Sequence, residues 1–344
     1  MKPTTHDLAV EVRPYRDEDE ASVLELLRAS LGPGPAGGRH SEFFRWKHVE
    51  NPFGRSFMLV AEVEGRIVGL RAFMRWRFES ADREIEAVRA VDTATHPDYQ
   101  GLGVFSRLTR EALARLRGEV DLVFNTPNED SLRGYLKMGW RIVGQLPIWV
   151  RVRRPVRFTG GIRTRKETDV SGGAPPTNHA ESAGQALSGG EEISSLLLLA
   201  EPDVRRFRTP EDITYLRWRY GSAPFLDYRA VREYDGGELR GLAIFRVRPR
   251  GKLWESTIGE IIVPPRDRAM FARLVGRVAR AAPVDHLTCR FPVGWRESNA
   301  SLRPRLFRVP GGMTFVVNAL SEDLSPDPSD PGSWALSLGD LEVF

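Results

Sequence analysis

The segment from His96 to Phe105, HPDYQGLGVF, constrains the fold of this chain more than any other stretch. It is typical of a strand end, a tight turn and the start of a helix. Gly101 and Gly103 have no Cβ, so the backbone can turn sharply there and bring several N–H groups close to a ligand. The residues that follow are apolar at intervals of three and four, as in an amphipathic helix: Val104, Leu108, Ala112, Leu113 and Leu116. Because the N-terminus of a helix has a partial positive charge, the segment predicts a cradle for a pyrophosphate group.

Two familiar phosphate loops do not fit this segment. A Walker loop ends in Gly-Lys-Ser/Thr, which does not occur here. A dinucleotide-binding fold places its glycines in the first strand-to-helix turn, whereas these lie about a hundred residues into the chain. Glycines in such a turn also occur for purely structural reasons, so the spacing of a second motif is needed to decide.

The second motif runs from Asn128 to Trp140. Asn128 is followed seven residues later by Tyr135, and Gly139 and Trp140 come directly after a further three residues. Asn128 can accept hydrogen bonds from the first-turn amides of the next helix, on which Tyr135 lies two turns along. Gly139 can end that helix in the left-handed conformation.

Together the two segments resemble the coenzyme A motifs of the GNAT acyltransferase superfamily. Residues 100–105, QGLGVF, resemble the signature Q/R-x-x-G-x-G/A, and the Asn, Tyr, Gly and aromatic spacing resembles the later motif. The chain departs from the signature at Phe105, where the family usually has a small residue. The resemblance implies an α/β (α+β) fold in which a mixed, mostly antiparallel twisted sheet is flanked by helices.

The resemblance also implies a set of site residues for acetyl-CoA, the expected co-substrate. The predicted cofactor-binding residues are Thr93, Ala94, Thr95, Gln100, Gly101, Leu102, Gly103, Val104, Phe105, Ser106, Asn128 and Ser131. Amides of residues 102–104 are expected to hold the pyrophosphate, and those of residues 93–95 the pantetheine chain and the thioester carbonyl. Asn128 is expected to bind the pantetheine arm, and Tyr135 to act as the general acid that protonates the leaving thiolate.

The second half of the chain partly repeats the first at an offset of 172 residues. Arg45-Trp46 aligns with Arg217-Trp218, and eight of 30 ungapped positions are identical where chance gives about two. Pro264 and Pro265 stand where the glycine loop would be and remove two backbone donors. We therefore predict two tandem GNAT-like domains, of which the second is degenerate. The predicted division is a catalytic domain at 1–158, a flexible linker at 159–199, a degenerate domain at 200–322 and a docked tail at 323–344.

The general base is less defined, and two candidates stay open. Asp92 lies on the strand that leads to the loop. Three roles are open for it there: a general base, a group that positions a water, or a residue that only bonds within the sheet. The α-carboxylate of Phe344 is the second candidate, because the apolar end of the tail is expected to dock on the body. Enhanced-intracellular-survival acetyltransferases, which share the tandem layout and have a third domain that this chain is expected to lack, use a C-terminal carboxylate in this way.

Composition and charge argue against several other classes of protein. The chain is 28% charged and 41% hydrophobic, as is usual for a globular protein, and has no apolar run long enough to cross a membrane. Its N-terminus lacks the apolar core of a signal peptide, so we expect a cytoplasmic protein. A net charge of +4 does not indicate a nucleic-acid partner, and the single Cys289 is expected to fill core space. No metal is expected, since His48 and His96 are read as loop or surface histidines.

The resemblance to GNAT acyltransferases implies an acetyl-CoA-dependent N-acyltransferase. It would transfer acetyl to the amine of a small molecule or amino sugar by direct attack in a ternary complex, as a monomer or a homodimer. A binding module that senses acyl-CoA without chemistry is one alternative. A transferase with a different acyl donor is another.

Overall fold

The computed structural model describes residues 10–34, 36–81, 83–162, 175–200, 204–291 and 306–341. Two seven-stranded mixed sheets flanked by helices form the protein, which confirms the predicted fold class. The strands are β1 Glu11–Pro14, β2 Phe57–Val63, β3 Arg66–Ser80, β4 Arg83–Thr95, β5 Leu122–Asn125, β6 Arg141–Leu146, β7 Trp149–Val152, β8 Glu181–Ser182, β9 Tyr228–Asp235, β10 Glu238–Arg250, β11 Leu253–Ile262, β12 His286–Cys289, β13 Leu306–Arg308 and β14 Met313–Ala319. The helices are α1 Glu20–Leu31, α2 Ser41–His48, α3 Val104–Leu116, α4 Glu129–Lys137, α5 Pro155–Ile162, α6 Ala183–Ala186, α7 Gly190–Leu199, α8 Ile213–Leu216, α9 Arg268–Ala281 and α10 Leu338–Leu341.

The first sheet is covered by helices on both faces, because its central strands alternate apolar side chains between two cores. On β3, Leu70 and Met74 pack with α1 and α2, whereas Phe73 packs with α3. The first of these cores continues into the second half of the chain, where it includes Tyr215 and Ile244. The two halves therefore share one buried interior.

The last strand of each half pairs in the other half's sheet. The order in the first sheet is β1-β2-β3-β4-β5-β14-β6, and in the second it is β13-β7-β12-β11-β10-β9-β8. The predicted limits assign β7 to the domain at 1–158 and β14 to the domain at 200–322, so sheet membership crosses both limits. The alternation of apolar residues marks a strand but does not say which edge it pairs with, since both halves offer an equivalent edge.

The predicted linker also needs correction. Within residues 175–199, α6 and α7 are ordered helices, and they bury Ala183, Ala186, Ile193 and Leu196. The Gly- and Ser-rich composition of this stretch concealed the apolar residues that anchor it. Residues 163–174 of the predicted linker lie outside the described part of the chain.

The tail packs into the shared interior. Trp334, Leu336, Leu338 and Leu341 are all buried, and Trp334 lies against Phe78, Phe207 and Phe315. Cys289 is fully buried, as expected for a core residue. None of the helices in the described ranges is both long enough and apolar enough to span a membrane.

Candidate active site

The glycine loop has the backbone that the sequence predicts. Gly101 and Gly103 have φ values of +84° and +78°, a region that favours glycine. Gly103 is the N-cap of α3 and supplies no side-chain cap to the first amides of the helix. A Cβ at Gly101 or Gly103 would meet no atom within 4 Å, so the described residues leave the outer side of the loop open. The loop therefore presents uncapped donors to an open space, as an anion site requires.

Phe105, the departure from the family signature, points its side chain away from this open side. Its ring packs edge-on against Tyr135, with 5.7 Å between the ring centroids. A Cβ at Gly134 would lie 3.0 Å from the Phe105 ring, so the glycine makes room for the bulky side chain. Phe105 thus couples the loop to α4.

The strand that leads to the loop is interrupted by a bulge. Leu70 pairs with Ala94 and Ala72 with Val91, so the single residue Arg71 lies opposite both Asp92 and Thr93. Asp92 has a φ of +40°, which asparagine and aspartate tolerate better than most residues. The parallel pairing of β4 with β5 ends at Arg89 and Phe124, before the bulge. No described strand therefore pairs with the edge of residues 93–95 that faces β5, although the Thr95 carbonyl accepts from the side chains of Ser30 and Gln100.

Asn128 caps α4 as the sequence predicts. Its Oδ1 accepts hydrogen bonds from the Ser131 amide at 2.9 Å and from the Ser131 hydroxyl at 2.6 Å. The side-chain oxygen of Asn128 is therefore occupied, and its exposed Nδ2 group is the part left to contact a ligand. Gly139 ends the helix with a φ of +100°.

Tyr135 lies at the bulge, and Arg71 holds it there. The Nη1 group of Arg71 donates to the Tyr135 hydroxyl at 2.9 Å and to the Thr93 hydroxyl at 2.7 Å. The structure thus brings together two residues predicted from separate motifs, through an arginine that sequence analysis missed. The available signal was a lone cation within the apolar run IVGLRAF, where the repeat has Ala243.

Asp92 lies on the other side of the bulge, among cations. Its carboxylate is 2.6 Å from Nζ of Lys47, 3.1 Å from Nε2 of His48 and 3.3 Å from Nη1 of Arg39. Burial opposes the ionisation of Asp92, but Lys47 and His48 together hold its pKa well below the usual range. A carboxylate with so low a pKa is a weak base.

One of the two histidines, His48, differs from the prediction. His48 is fully buried on α2, not a loop or surface residue, and its Nδ1 lies 2.9 Å from the Ser56 hydroxyl. Burial lowers the pKa of His48, and likewise that of Lys47, against the opposing effect of Asp92. His96 is half-buried and caps the short turn before the loop by accepting from the Asp98 amide.

Phe344, the other candidate base, lies outside the described residues. The last described residue of the tail, Leu341, places its carbonyl against the side chains of Arg89 and Thr126. Arg89 is three residues before Asp92 on β4. In the described ranges, no cluster of three or more His, Cys, Asp or Glu side chains is arranged to hold a metal ion.

Comparison with solved structures shows the same fold. A probable N-acyltransferase from Enterococcus faecalis aligns with a TM-score of 0.62 at 13% identity, over 91% of this chain and 73% of the other. A GCN5-related N-acetyltransferase from Anabaena variabilis gives a TM-score of 0.61 at 10% identity, over 91% and 73%. Eis1 from Mycobacterium abscessus gives 0.53 at 12% identity, over 91% and 74%. No curated protein matches the sequence.

The fold and the matched family model together indicate an acyltransferase. Residues 11–143 match the sequence model described as an acetyltransferase (GNAT) domain. Over these residues the chain is similar to GNAT acetyltransferase domains.

Proposed function

We propose that the protein transfers an acetyl group from acetyl-CoA to the amine of a small molecule or amino sugar. Such a reaction needs donors for the phosphates, polarisation of the thioester carbonyl, an unprotonated amine and a proton for the leaving thiolate. The observation that best supports the proposal is the position of Tyr135, whose buried hydroxyl lies at the bulge beside Thr93. An acid at this place would serve the leaving thiolate.

The donor side of the site is formed by the loop and the bulge. The amides of Leu102, Gly103 and Val104 would hold the pyrophosphate, with Ser106 beside them on the first turn of α3. The unpaired edge of residues 93–95 would hold the pantetheine chain and polarise the carbonyl. The exposed amide of Asn128 would contact the pantetheine arm.

The acceptor would approach from the opposite face. Asp92 contacts α2, whereas Thr93 contacts the Tyr135 side, so the bulge divides two environments. An amine that enters on the Asp92 side would attack the carbonyl while Tyr135 protonates the sulfur on the other side. Asp92 would position the amine or a water, because its low pKa makes it a poor base.

Direct attack agrees with the position of the single cysteine. Burial raises the pKa of Cys289 to about 12, and the residue lies on β12 in the core of the second half. A buried thiol with so high a pKa is a poor acyl carrier. The proposal therefore needs no acyl-enzyme.

The location, oligomeric state and partners of the protein are part of the same proposal. It would work in the cytoplasm as a monomer or homodimer, on a small molecule and not on nucleic acid or a membrane. The Phe344 carboxylate stays a prediction. Deleting Val343 and Phe344 should slow turnover while acetyl-CoA affinity is nearly intact, and unchanged turnover would remove Phe344 from the mechanism.

The first test is calorimetric titration of acetyl-CoA into the wild type and Gly103→Glu, with thiol release measured against a panel of primary amines. Gly118→Glu is the matched control, because Gly118 has a φ of +84° and nothing within 4 Å of a Cβ but lies after α3. We expect Gly103→Glu to abolish binding and Gly118→Glu to retain it. Binding without turnover on any amine would favour the acyl-CoA sensor, and turnover only with longer acyl-CoA would favour a different donor.

A further inference from the structure

Arg71 is a buried cation whose guanidinium is only partly bonded. The residue is 0% exposed, yet its Nε and Nη2 atoms have no hydrogen-bond acceptor within the described part of the chain. No carboxylate in the described ranges pairs with it either. Arginine stays charged in proteins, and a buried charge without a partner is costly. An anionic or acceptor group from outside the chain would remove this cost.

The surroundings of the guanidinium are aromatic and compact. Its central carbon lies 4.1 Å from the ring centroid of Phe73, 5.3 Å from that of Tyr135 and 5.9 Å from that of Phe105. These rings fix the plane of the guanidinium and exclude water. The free donors are therefore held rigidly beside the Tyr135 hydroxyl, which is the acid of the proposed reaction.

The Tyr135 hydroxyl accepts from Arg71 and keeps its own proton available to donate. Arginine has five donors and no acceptor, so Arg71 occupies a lone pair of the Tyr135 oxygen and cannot take its proton. No acceptor for that proton is found among the described residues. The hydroxyl hydrogen is thus free to point at a group bound beside the bulge.

The degenerate half provides an internal comparison. Gly69-Leu70 corresponds to Gly241-Leu242, and the next residue is Arg71 in the first half and Ala243 in the second. Leu70 and Leu242 occupy equivalent places, pairing with Ala94 on β4 and Ile262 on β11. The half without the glycine loop also lacks the arginine, although the strand itself is kept. The arginine is therefore not required by the strand.

We propose that Arg71 is the positioning residue for proton transfer to sulfur, and that its free donors stabilise the coenzyme A thiolate. This inference rests on the proposed function. In the step, the amine lone pair attacks the carbonyl carbon and the C–S bond breaks with its electron pair on sulfur. The Tyr135 proton passes to that sulfur, and the amine proton leaves to solvent, from which the phenolate is reprotonated. Arg71 offsets the negative charge throughout.

The test compares the binding of coenzyme A and dethio-coenzyme A, which lacks the thiol, at about pH 8.5, near the ordinary pKa of a thiol. It needs no acceptor. We expect the wild type to prefer coenzyme A by about fivefold or more. Arg71→Met should lose that preference and still bind dethio-coenzyme A within about twofold, while Arg71→Lys should retain part of it. Arg75→Met, on the same strand but paired with exposed Glu119, is the control.

The outcomes are separable. A preference that survives in Arg71→Met overturns the inference, and an equal loss of both ligands assigns Arg71 a structural role only. If the wild type binds neither ligand, the proposed function itself has failed. Thermal melting of each variant checks folding, and replacing a buried arginine with methionine is often tolerated.

A second measurement uses an amine that turns over. Adding Arg71→Met to the wild type should lower kcat about tenfold or more, whereas adding it to Tyr135→Phe should have little effect.

Discussion

Trp46 and Trp218 hydrogen-bond to each other reciprocally. The indole nitrogen of Trp46 donates to the carbonyl of Trp218 at 2.9 Å, and that of Trp218 donates to the carbonyl of Trp46 at 3.0 Å. Their rings stack with 5.2 Å between centroids. The separation of 172 residues equals the offset of the sequence repeat. The pair therefore marks a pseudo-twofold axis that relates the halves, the same relation that exchanges β7 and β14.

This symmetry identifies what the second half has lost. Asp92 lies three residues beyond the last parallel pair of β4, and Glu260 lies three residues beyond that of β11. His48 contacts Asp92, and its counterpart Tyr220 donates to Glu260 at 3.1 Å. Each half thus keeps a carboxylate that bonds to the same position of the repeat. Only the first half adds the glycine loop and Arg71 to it.

The tryptophan pair should contribute measurably to the stability of both halves. Trp46→Phe or Trp218→Phe removes one indole donor, at a cost of about 1–3 kcal/mol each. The cost should be smaller for Trp46→Phe, because the Trp218 carbonyl also accepts from the Ser222 hydroxyl at 3.3 Å. Denaturant unfolding measures this cost, and the double variant should lose less than the sum because the two bonds share one contact. Trp254→Phe, at a half-buried indole outside this pair, is the control. Full additivity would mean that the two tryptophans act independently.

Local features of the site were predictable from sequence, and long-range ones were not. The positive φ of Gly103, the Asn128 cap and the helix that bears Tyr135 follow from neighbours within a few residues. The exchange of β7 and β14 depends on which of two equivalent edges a strand meets. The role of Arg71 could not be predicted, because its partners Thr93 and Tyr135 are distant in sequence and no local pattern identifies them.

The Lys47–Asp92 pair yields a prediction about buried charge. Asp92→Asn suits the φ of +40° but leaves the buried Lys47 ammonium without its carboxylate. We expect a loss of about 3–5 kcal/mol in the free energy of unfolding. Adding Lys47→Met to Asp92→Asn should recover part of it, because the buried ammonium that faces the lost carboxylate is then removed as well. Urea unfolding of the wild type and the two variants tests this, and a double variant less stable than Asp92→Asn would refute it.

Tyr135→Phe separates chemistry from binding. The phenyl ring keeps its packing on Phe105 and Trp140 while the proton donor is removed. For an amine that turns over, we expect kcat to fall by about 10²–10⁴-fold and the Kd for acetyl-CoA to change by less than about threefold. Tyr234→Phe, at an exposed tyrosine, should match the wild type. A kcat close to that of the wild type would exclude Tyr135 as the acid.

The second half should make the protein less stable at high pH. Burial, together with the nearby charge of Asp340, raises the pKa of Glu211 to about 8, far above its value in an unfolded chain. Between about pH 4.5 and pH 8 the folded state therefore binds more protons than the unfolded state, so the stabilising contribution of protonated Glu211 is full at low pH and is lost as the pH rises through 8. The variant Glu211→Gln keeps a neutral side chain at every pH.

We expect the melting temperature of Glu211→Gln to equal that of the wild type near pH 5 and to exceed it by a few degrees at pH 9, where the wild type must hold a buried carboxylate. Part of the slope should remain, because burial also raises the pKa values of Glu260 and Asp340. Glu18→Gln, at an exposed residue, should show the full wild-type slope, and a Glu211→Gln variant with that same slope would show that Glu211 titrates as an ordinary surface carboxylate.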